Sequence, residues 1–189
     1  MIRYANKNDI EAIYQICNEQ LGKEYIKVET VKKLLNYKNS IIKVFEENNE
    51  VAAFIVLEII SKSRLKTELR TIEEPLLTQI KNETKFGFLN IVAVLNKFMG
   101  KKIGSALTFD AVEEIKNRQI KNTFSLAWKD KEKINIGNIL LRAGFNLLYE
   151  VKNYYYKESI EKQYNCPNCG APPCKCSAVI YNYNLKTKE

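Results

Sequence analysis

The sequence predicts an α/β fold in which helices flank a central mixed β-sheet. Segments with apolar residues at helical spacing alternate with short, apolar, β-rich runs, and no repeat recurs along the chain. The length of 189 residues suits one domain with a full hydrophobic core. A composition that is 46% hydrophobic and 28% charged, with only 7 Gly and 4 Pro, excludes a disordered or collagen-like chain. We therefore expect residues 1–189 to form a single domain.

The first part of the chain is predicted to form a strand, two helices and a hairpin. Residues 2–4 are β-prone, and apolar residues then recur at helical spacing over 9–22 and 28–37. Two β-rich runs, 40–45 and 51–60, lie on either side of a polar turn. This arrangement predicts an antiparallel pair of strands.

The rest of the chain is predicted to alternate strands with helices. Residues 61–85 have apolar positions at helical spacing, interrupted by Pro75, and predict an insertion of two short helices. The remaining strands are predicted over 86–95, 122–128, 145–156 and 178–185, and the remaining helices over 100–118 and 135–143. Gly144 is expected to end the last of these helices as a left-handed cap.

The charge and the absence of histidine restrict the chemistry that is open to the protein. Lys and Arg number 30 and Asp and Glu 22, so the net charge is +8 and favours anionic partners such as phosphates. The absence of histidine excludes Ser-His-Asp and Cys-His nucleophile systems and imidazole metal sites. The longest apolar stretches have about ten residues, against the roughly 20 that a membrane helix needs. Because residues 1–12 also lack the apolar run of a secretory signal, we expect a cytoplasmic protein with no membrane partner.

Four of the five cysteines lie close together in residues 164–177, the predicted loop of the last hairpin. Cys166, Cys169, Cys174 and Cys176 have the spacing C-x2-C-x4-C-x-C. Four thiolates in a short segment that also contains Pro and Gly suit a tetrahedral Zn(II) ion, which would be structural because no coordination position stays open. Free thiols, a disulfide pair and an iron–sulfur cluster remain alternatives.

The segment from residue 91 to residue 107 is predicted to pass from a buried strand through a short loop into a helix. Such a turn exposes backbone N–H groups at the helix N-terminus, where a pyrophosphate binds favourably. Gly100 and Gly104 would let a ligand approach the backbone closely. On spacing alone, an ordinary connection between a strand and a helix remains the alternative.

The residues of this loop also follow a longer pattern, which is a strand, Val-x-Pro-x-x-Arg/Gln-x-x-Gly-x-Gly/Ala and a helix. Val94 matches the strand valine, Gly100 the first glycine of the frequent Arg-Gly-x-Gly form of this pattern, and Gly104 the closing Gly/Ala. This pattern resembles the acyl-CoA loop of the GNAT acyltransferase superfamily. The Arg-Ala-Gly-Phe sequence at 142–145 is similar to the end of a later helix in that superfamily. The predicted order of elements resembles the GNAT fold over nearly the whole chain.

Three positions of the loop depart from the GNAT pattern. Asn96 stands in place of the proline, Met99 in place of Arg/Gln, and Lys102 in place of the middle glycine. Because backbone amides are the main phosphate ligands in this superfamily, the resemblance still implies binding of acetyl-CoA. The implied binding residues are Val92, Ala93, Val94, Met99, Gly100, Lys101, Lys102, Ile103, Gly104 and Ser105.

The resemblance also implies where each part of acetyl-CoA would bind. The strand that carries Val92 and Val94 would separate from the strand over 122–128, and pantetheine would pair with the backbone of these two valines. The adenine and the 3′-phosphate would lie outside, near surface lysines. The candidate lysines are Lys97, Lys101, Lys129 and Lys131.

Neither of the two catalytic groups that are frequent in the superfamily occurs at its usual place. The strand around 88–91 offers only Asn90 where a glutamate is frequent, and Leu140 stands at the position of a proton-donating tyrosine. Asn90 would orient a water molecule, and Tyr149, or one of the tyrosines at 154–156, would supply a hydroxyl. Packing within the sheet is the alternative role of each of these residues.

The resemblance predicts an acyl-CoA-dependent N-acyltransferase, with acetyl-CoA as the cosubstrate and direct attack by an amine in a ternary complex. Carboxylates in the helical insertion would suit an amine, with a solvated surface as their alternative role. These are Glu68, Glu73, Glu74 and Glu83. The alternative function is a GNAT-fold binding module that uses the cysteine loop and basic surface to bind nucleic acid or a protein. We expect no nucleic-acid partner because the positive charge is dispersed along the chain, and a homodimer stays open.

Overall fold

One mixed sheet runs through the part of the chain that the computed structural model describes, residues 1–70, 74–131 and 133–185. Its strands are β1 (Ile2–Tyr4), β2 (Ser40–Glu47), β3 (Glu50–Ser61), β4 (Lys85–Val94), β5 (Asn122–Asp130), β6 (Lys133–Ile134), β7 (Asn146–Val151) and β8 (Ser177–Asn184). The order is β1-β2-β3-β4-β5-β8-β7, and β6 pairs with the end of β5. Neighbouring strands are antiparallel except β4 and β5, which are parallel. The predicted mixed sheet is confirmed.

Helices cover both faces of this sheet. Over the described ranges they are α1 (Ile10–Gln20), α2 (Val28–Asn36), α3 (Lys62–Leu69), α4 (Glu74–Gln79), α5 (Ile103–Asn117), α6 (Gly137–Arg142) and α7 (Tyr156–Lys162). Short 3₁₀ turns occur at Lys7–Asp9 and Asn96–Phe98. None of these helices combines the length and the apolar character that a bilayer crossing requires.

Most predicted elements are confirmed, and the differences have local physical causes. The helix expected from residue 100 begins at Ile103, because Lys102 has a left-handed backbone with φ of 61°. The strand expected over 145–156 ends at Val151, and α7 begins at Tyr156. Tyr154 turns inward between them, where its hydroxyl donates to the carbonyl of Glu68 at 2.8 Å. An aromatic run that resembles a strand therefore forms a turn and a helix.

The core divides into layers on the two faces of the sheet. On one face, Leu107, Ala111 and Ile115 of α5 are buried in a cluster with Ile55 and Leu57 of β3. On the other face, α1 and α2 pack on β2, β3 and β4, while the insertion helices α3 and α4 pack on the far ends of β3 and β4. Both helical layers leave the C-terminal ends of β4 and β5 accessible.

The parallel pairing of β4 with β5 is short. Gly87, Phe88 and Leu89 pair with residues 123–125, and no pairing between the two strands follows within the described residues. A bulge occurs at the same level, because Val56 pairs with Ile91 while the adjacent residue of β3 pairs with Leu89. Asn90 is left as the extra residue, and β4 bends away from β5 beyond it.

Gly87 is required where the two parallel strands approach most closely. A Cβ atom at this position would lie 2.2 Å from Oγ1 and 2.8 Å from Cγ2 of Thr123. Gly87→Ala is therefore expected to lower the free energy of unfolding by about 1–3 kcal/mol, because the strands must shift to relieve the overlap. Urea denaturation measures the loss.

A matched control is Gly104→Ala, since a Cβ atom there would have only ordinary contacts, the nearest at 3.5 Å. This variant is expected to retain the unfolding free energy. Equal stability of Gly87→Ala and the parent chain would contradict the close approach of β4 and β5.

Candidate active site

The separation of β4 from β5 opens a groove of about 880 Å³, called here the donor groove. Its walls are the ends of the two strands, from Asn90 to Val94 and from Leu126 to Asp130, and one end is closed by the N-terminus of α5. The predicted splay between these strands is therefore present. A groove in the interior of a sheet exposes backbone groups that a neighbouring strand would otherwise satisfy.

The backbone of β4 directs two residues toward the donor groove. The N–H of Leu95 donates to the carbonyl of Ala52 in β3 at 2.9 Å, so the backbone N–H of Leu95 points away from the groove. Because backbone groups alternate in direction along a strand, Val94 and Val92 present their N–H and C=O groups to the groove. An extended ligand that carries amides can add there as a strand would.

The loop from Asn96 to Gly104 closes the groove at the N-terminus of α5. The backbone N–H of Asn96 donates to Oε1 of Glu19 at 2.7 Å, an interaction that a proline at this position could not make. Lys102 keeps the left-handed conformation that favours glycine. No side chain caps α5, so the first N–H groups of this 15-residue helix stay available to an anion.

The predicted acetyl-CoA residues line the donor groove with one exception. Those that line it are Val92, Ala93, Val94, Met99, Gly100, Lys102, Ile103, Gly104 and Ser105. Lys101 does not line the groove, because its ammonium pairs with Glu47 on β2 at 2.7 Å. The assignment of the Lys101 side chain to the phosphates is therefore corrected.

The other lysines expected beside the phosphates are also placed elsewhere. Lys97 pairs with Glu50 at 2.6 Å and Lys129 with Glu150 at 2.6 Å, and neither lines the groove. Lys131 does not line it either. The cationic residues that do are Lys102, Lys133 and Arg142. The sequence could not distinguish them, because which lysines meet acidic neighbours depends on how distant strands pack: the β2–β3 hairpin for Lys97 and Lys101, and β7 for Lys129.

A second cavity of about 510 Å³, called here the acceptor cavity, lies on the α2 and α3 side of the sheet. Its charged lining residues are Lys33, Glu58, Arg64, Glu68, Glu158 and Lys162. The two cavities have five lining residues in common, which we call the junction: Tyr25, Asn90, Ile91, Leu126 and Tyr155. Ligands in the two spaces would meet at these residues.

Asn90 is held at the junction by a buried carboxylate. Glu58 of β3 has only 1% of its surface exposed. Its oxygens accept two hydrogen bonds from Arg64, at 2.9 and 3.1 Å, and one from Nδ2 of Asn90 at 2.7 Å. These contacts fix the side-chain amide of Asn90, and Oδ1 accepts no hydrogen bond from the described residues. That oxygen is therefore available to a water molecule or an amine in the junction.

The arginine and carboxylate pair also balances the charge of the acceptor cavity. Burial opposes the charge of Arg64, but its hydrogen bonds to Glu58 and Glu68 keep the pKa of the guanidinium above its ordinary value. Glu68 is the one predicted insertion carboxylate that lines the acceptor cavity within the described residues. Glu83 instead accepts from Asn122 at 2.7 Å, while Glu73 and the side chain of Glu74 lie outside the described residues.

Two tyrosines complete the junction. Burial raises the pKa of Tyr155 and of Tyr25 well above the ordinary value, and the negative charge of Glu158 adds to both shifts. Both hydroxyls are therefore protonated at neutral pH and can donate hydrogen bonds. Tyr155 lines the donor groove and the acceptor cavity, whereas Tyr154 is turned toward α3.

The architecture matches solved N-acetyltransferases along the whole chain. Ribosomal-protein-S18-alanine N-acetyltransferase from Escherichia coli superposes with a TM-score of 0.67 at 15% identity, covering 100% of this chain and 96% of that chain. Arabidopsis thaliana NAA60 with a bisubstrate analogue superposes with a TM-score of 0.68 at 12% identity, covering 98% of this chain and 99% of that chain. Ard1 from Thermoplasma volcanium gives 0.67 at 18% identity, covering 99% and 98%. The chain has the GNAT fold. No family model matches it, and no curated protein matches its sequence.

The GNAT topology corrects the expected position of Tyr149. This residue was predicted to supply a hydroxyl to the reaction, which requires it to lie close to the thioester. It lies on β7, which β5 and β8 separate from β4, and it lines neither cavity. Its ring packs with the cluster that includes Phe86 and Ile180. Among the tyrosines near the end of β7, Tyr155 is the one that reaches the junction.

The four clustered cysteines converge as the spacing predicted. Their Sγ atoms all lie within 4.8 Å of one another, with separations of 3.9 Å for Cys166–Cys176 and Cys169–Cys174 and 3.5 Å for Cys169–Cys176. Sulfur atoms at about 2.3 Å from a tetrahedral zinc are about 3.8 Å apart, so the donor set fits that ion. Cys166 and Gly170 exchange two backbone hydrogen bonds of 2.9 Å, which forms the turn. N–H groups of Cys169 and Lys175 point at thiol sulfurs, each at 3.4 Å.

Sequence reasoning missed three residues at or beside the junction: Glu58, Arg64 and Tyr25. Glu58 had a usable signal, because it is the single charged residue inside an otherwise apolar strand. Arg64 lies six residues further along in the insertion, and nothing local indicates that it turns back to Glu58. Tyr25 lies in the short segment between α1 and α2 and carries no pattern of its own.

Proposed function

We propose that this protein is an acyl-CoA-dependent N-acyltransferase that transfers an acetyl group from acetyl-CoA to an amine. The observation that carries the proposal is the junction, where a groove suited to a pantetheine chain meets a separate cavity lined by six charged residues of the described ranges. Two ligands that meet at one point are what direct transfer in a ternary complex requires. The neighbour Arabidopsis thaliana NAA60 has been solved with acetyl-CoA, at a TM-score of 0.67 and 12% identity, which supports the choice of donor.

The donor groove supplies a contact for each part of acetyl-CoA. The pantetheine amides would pair with Val92 and Val94, and the pyrophosphate would accept from the N–H groups at the start of α5. Positive charge for the outer phosphate would come from Lys133 and Arg142, which line the groove. The thioester then lies near Asn90, where the bulge turns the side chain toward both cavities.

The acceptor cavity supplies polar contacts for an amine. Oδ1 of Asn90 would accept from the amine or from a water molecule that removes its proton. The neutral amine attacks the thioester carbon, the C–S bond breaks, and the proton that the nitrogen loses on becoming an amide passes through water to the CoA thiolate. The hydroxyl of Tyr155 would donate a hydrogen bond to the leaving sulfur, because burial keeps this group protonated.

The neighbours and the charges of the acceptor cavity support the choice of an acceptor class. The Escherichia coli neighbour is named for an alanine of a ribosomal protein, and NAA60 was solved with a bisubstrate analogue. The acceptor cavity here has both charges, with Lys33 and Arg64 near Glu68 and Glu158. We propose the amino terminus of a polypeptide as the acceptor, with free amino acids and polyamines as the comparison set.

We further propose that Cys166, Cys169, Cys174 and Cys176 hold one structural Zn(II). The support is the sulfur separations and the two N–H groups directed at thiol sulfurs. When bound, the ion would cross-link the segment between α7 and β8, and four thiolates would leave it no position for water. Zinc chemistry therefore takes no part in acetyl transfer.

Binding of acetyl-CoA is expected to stabilise the fold, because the ligand binds only the native state. At about 100 times its dissociation constant the melting temperature should rise on the order of 5–10 °C. Gly104→Glu should remove this shift, because its side chain would project between Val92 and Val94 with a negative charge. Differential scanning fluorimetry measures it.

Gly104→Ala is the control for this experiment and should keep the shift, since a Cβ atom fits at position 104. An unchanged melting curve of the parent chain in excess acetyl-CoA would contradict donor binding. A melting-temperature shift together with no turnover of any amine, as measured by an assay of thiol release, would instead favour the binding-module alternative.

The purified protein is expected to contain about one zinc per chain. Cys169→Ser should lower the zinc content, because serine is a poor zinc ligand. Elemental analysis of the protein in reducing buffer measures the zinc content per chain. Cys17→Ala removes a buried thiol outside the cluster and should retain the metal. Iron in place of zinc, or no metal, would refute the assignment.

Tyr155→Phe is expected to lower kcat by on the order of 10²-fold with acetyl-CoA affinity nearly unchanged, because only a transition-state hydrogen bond is lost. Tyr149→Phe is the matched control, since Tyr149 lines neither cavity, and it should keep kcat near the parent value. Steady-state kinetics with calorimetric binding separates the two quantities. A loss of kcat in Tyr149→Phe with a normal kcat in Tyr155→Phe would instead identify Tyr149 as the hydroxyl that assists the leaving sulfur.

A further inference from the structure

The segment that carries the four cysteines, residues 164–177, packs against the loop between α1 and α2. The ring of Tyr164 makes an edge contact with Tyr25, with centroids 5.0 Å apart and planes at 82°. The N–H of Asn165 donates to the carbonyl of Lys23 at 3.4 Å. A Cβ atom at Gly22 would lie 2.1 Å from the carbonyl oxygen of Asn165, so the two backbones are in direct contact. The cysteine loop therefore supports one wall of the junction.

The same loop is also attached to α7, which begins directly after Tyr155. The N–H of Cys174 donates to Oγ of Ser159 at 2.8 Å, and that hydroxyl donates to the carbonyl of Tyr156 at 2.8 Å. Ser159 is fully buried, whereas most of the seven-residue helix is exposed. This attachment is one anchor of α7 and of the adjacent Tyr155, and the hydrogen bond from Tyr154 to the carbonyl of Glu68 is another.

The cysteine cluster and the two tyrosines of the junction line a common small cavity. Cys166 and Cys174 line a small space of about 50 Å³ together with Tyr25 and Tyr155. Pro167, the residue after Cys166, lines the donor groove at its junction end. A movement of the cysteine loop would therefore change the contacts of both tyrosines.

We propose that the cysteine loop, with its metal bound, is the positioning device for the acceptor side of the active site. The inference rests on the proposed zinc site and acyl transfer. Without a metal, the four thiols make only weak S–H contacts with one another, so the loop would be less rigid even though the backbone hydrogen bonds between Cys166 and Gly170 remain. Tyr25 and Tyr155 would then lose their common support. The phosphate end of the donor groove is formed by the end of β4 and the start of α5, and the side chains of Ile103 and Leu107 anchor α5 in the main core.

The proposal predicts that loss of the metal impairs turnover of the acceptor and leaves binding of acetyl-CoA nearly unchanged. Loss of the metal should leave the affinity for acetyl-CoA within about threefold, and should lower kcat/KM for the acceptor by at least about tenfold. Amide hydrogen exchange should accelerate over residues 22–27 and 153–162 and stay unchanged over 92–104. The exchange pattern is independent of catalysis.

The test compares the parent chain with Cys169→Ser and Ala171→Ser. Cys169 is the exposed cysteine of the cluster, and its replacement removes a ligand from the surface of the loop. Ala171 is an exposed residue of the same loop that lines neither cavity, so this variant should keep zinc, exchange and kinetics. Zinc content, calorimetric acetyl-CoA affinity, acceptor kinetics and amide exchange are measured on all three proteins.

Tyr164→Ala tests the contact without touching a cysteine. It removes the ring that packs on Tyr25 and should keep zinc and acetyl-CoA affinity, while KM for the acceptor rises by about tenfold. Unchanged exchange over 22–27 and 153–162 in zinc-free protein would overturn the positioning role, even if the protein proves to have another activity. A parallel loss of acetyl-CoA affinity would also overturn it. Absence of acetyl transfer by the parent protein would refute the proposed function and leave the exchange test standing.

Discussion

The structure depends on the point at which β4 stops pairing with β5. The two strands are in register for three residues, where Gly87 lets them approach, and the bulge at Asn90 then turns β4 away. Backbone groups of Val92 and Val94 are left without a strand partner in the middle of a sheet. Unsatisfied backbone groups are costly away from water, so this gap favours a ligand that carries its own amides. The short connection from β4 to α5 then places a helix N-terminus beside the same gap.

The bulge also decides where the polar chemistry lies. Asn90 is directed toward the face of the sheet on which Glu58 and Arg64 lie, and the hydrogen bonds among them fix all three side chains. A carboxylate in an apolar strand would be strongly unfavourable alone, and Arg64 supplies the required opposite charge. The helical insertion that provides Arg64 is therefore part of the site as well as a cover for the core.

The parts of the site that could be predicted from sequence are contiguous in sequence. The loop from Val94 to Gly104 and the cysteine loop each carry their pattern within a dozen residues or so, and both have the expected geometry. The junction combines Tyr25, Asn90 and Tyr155, which long-range packing brings together. Tyr149 was misplaced for the same reason, because β8 inserts between β5 and β7 and sequence proximity does not report strand order. Helix α7 was missed because the aromatic run at 154–156 that leads into it is β-prone and resembles a continuation of the strand.

The position of Trp128 gives the molecule an internal spectroscopic reporter. It is the single tryptophan of the chain, it lines the donor groove, and its side chain packs against the cluster of buried cysteines. The indole therefore contacts the acyl-donor space on one side and the sulfur cluster on the other. Its fluorescence emission will respond to occupancy of either one without an attached dye, and no second tryptophan contributes a background.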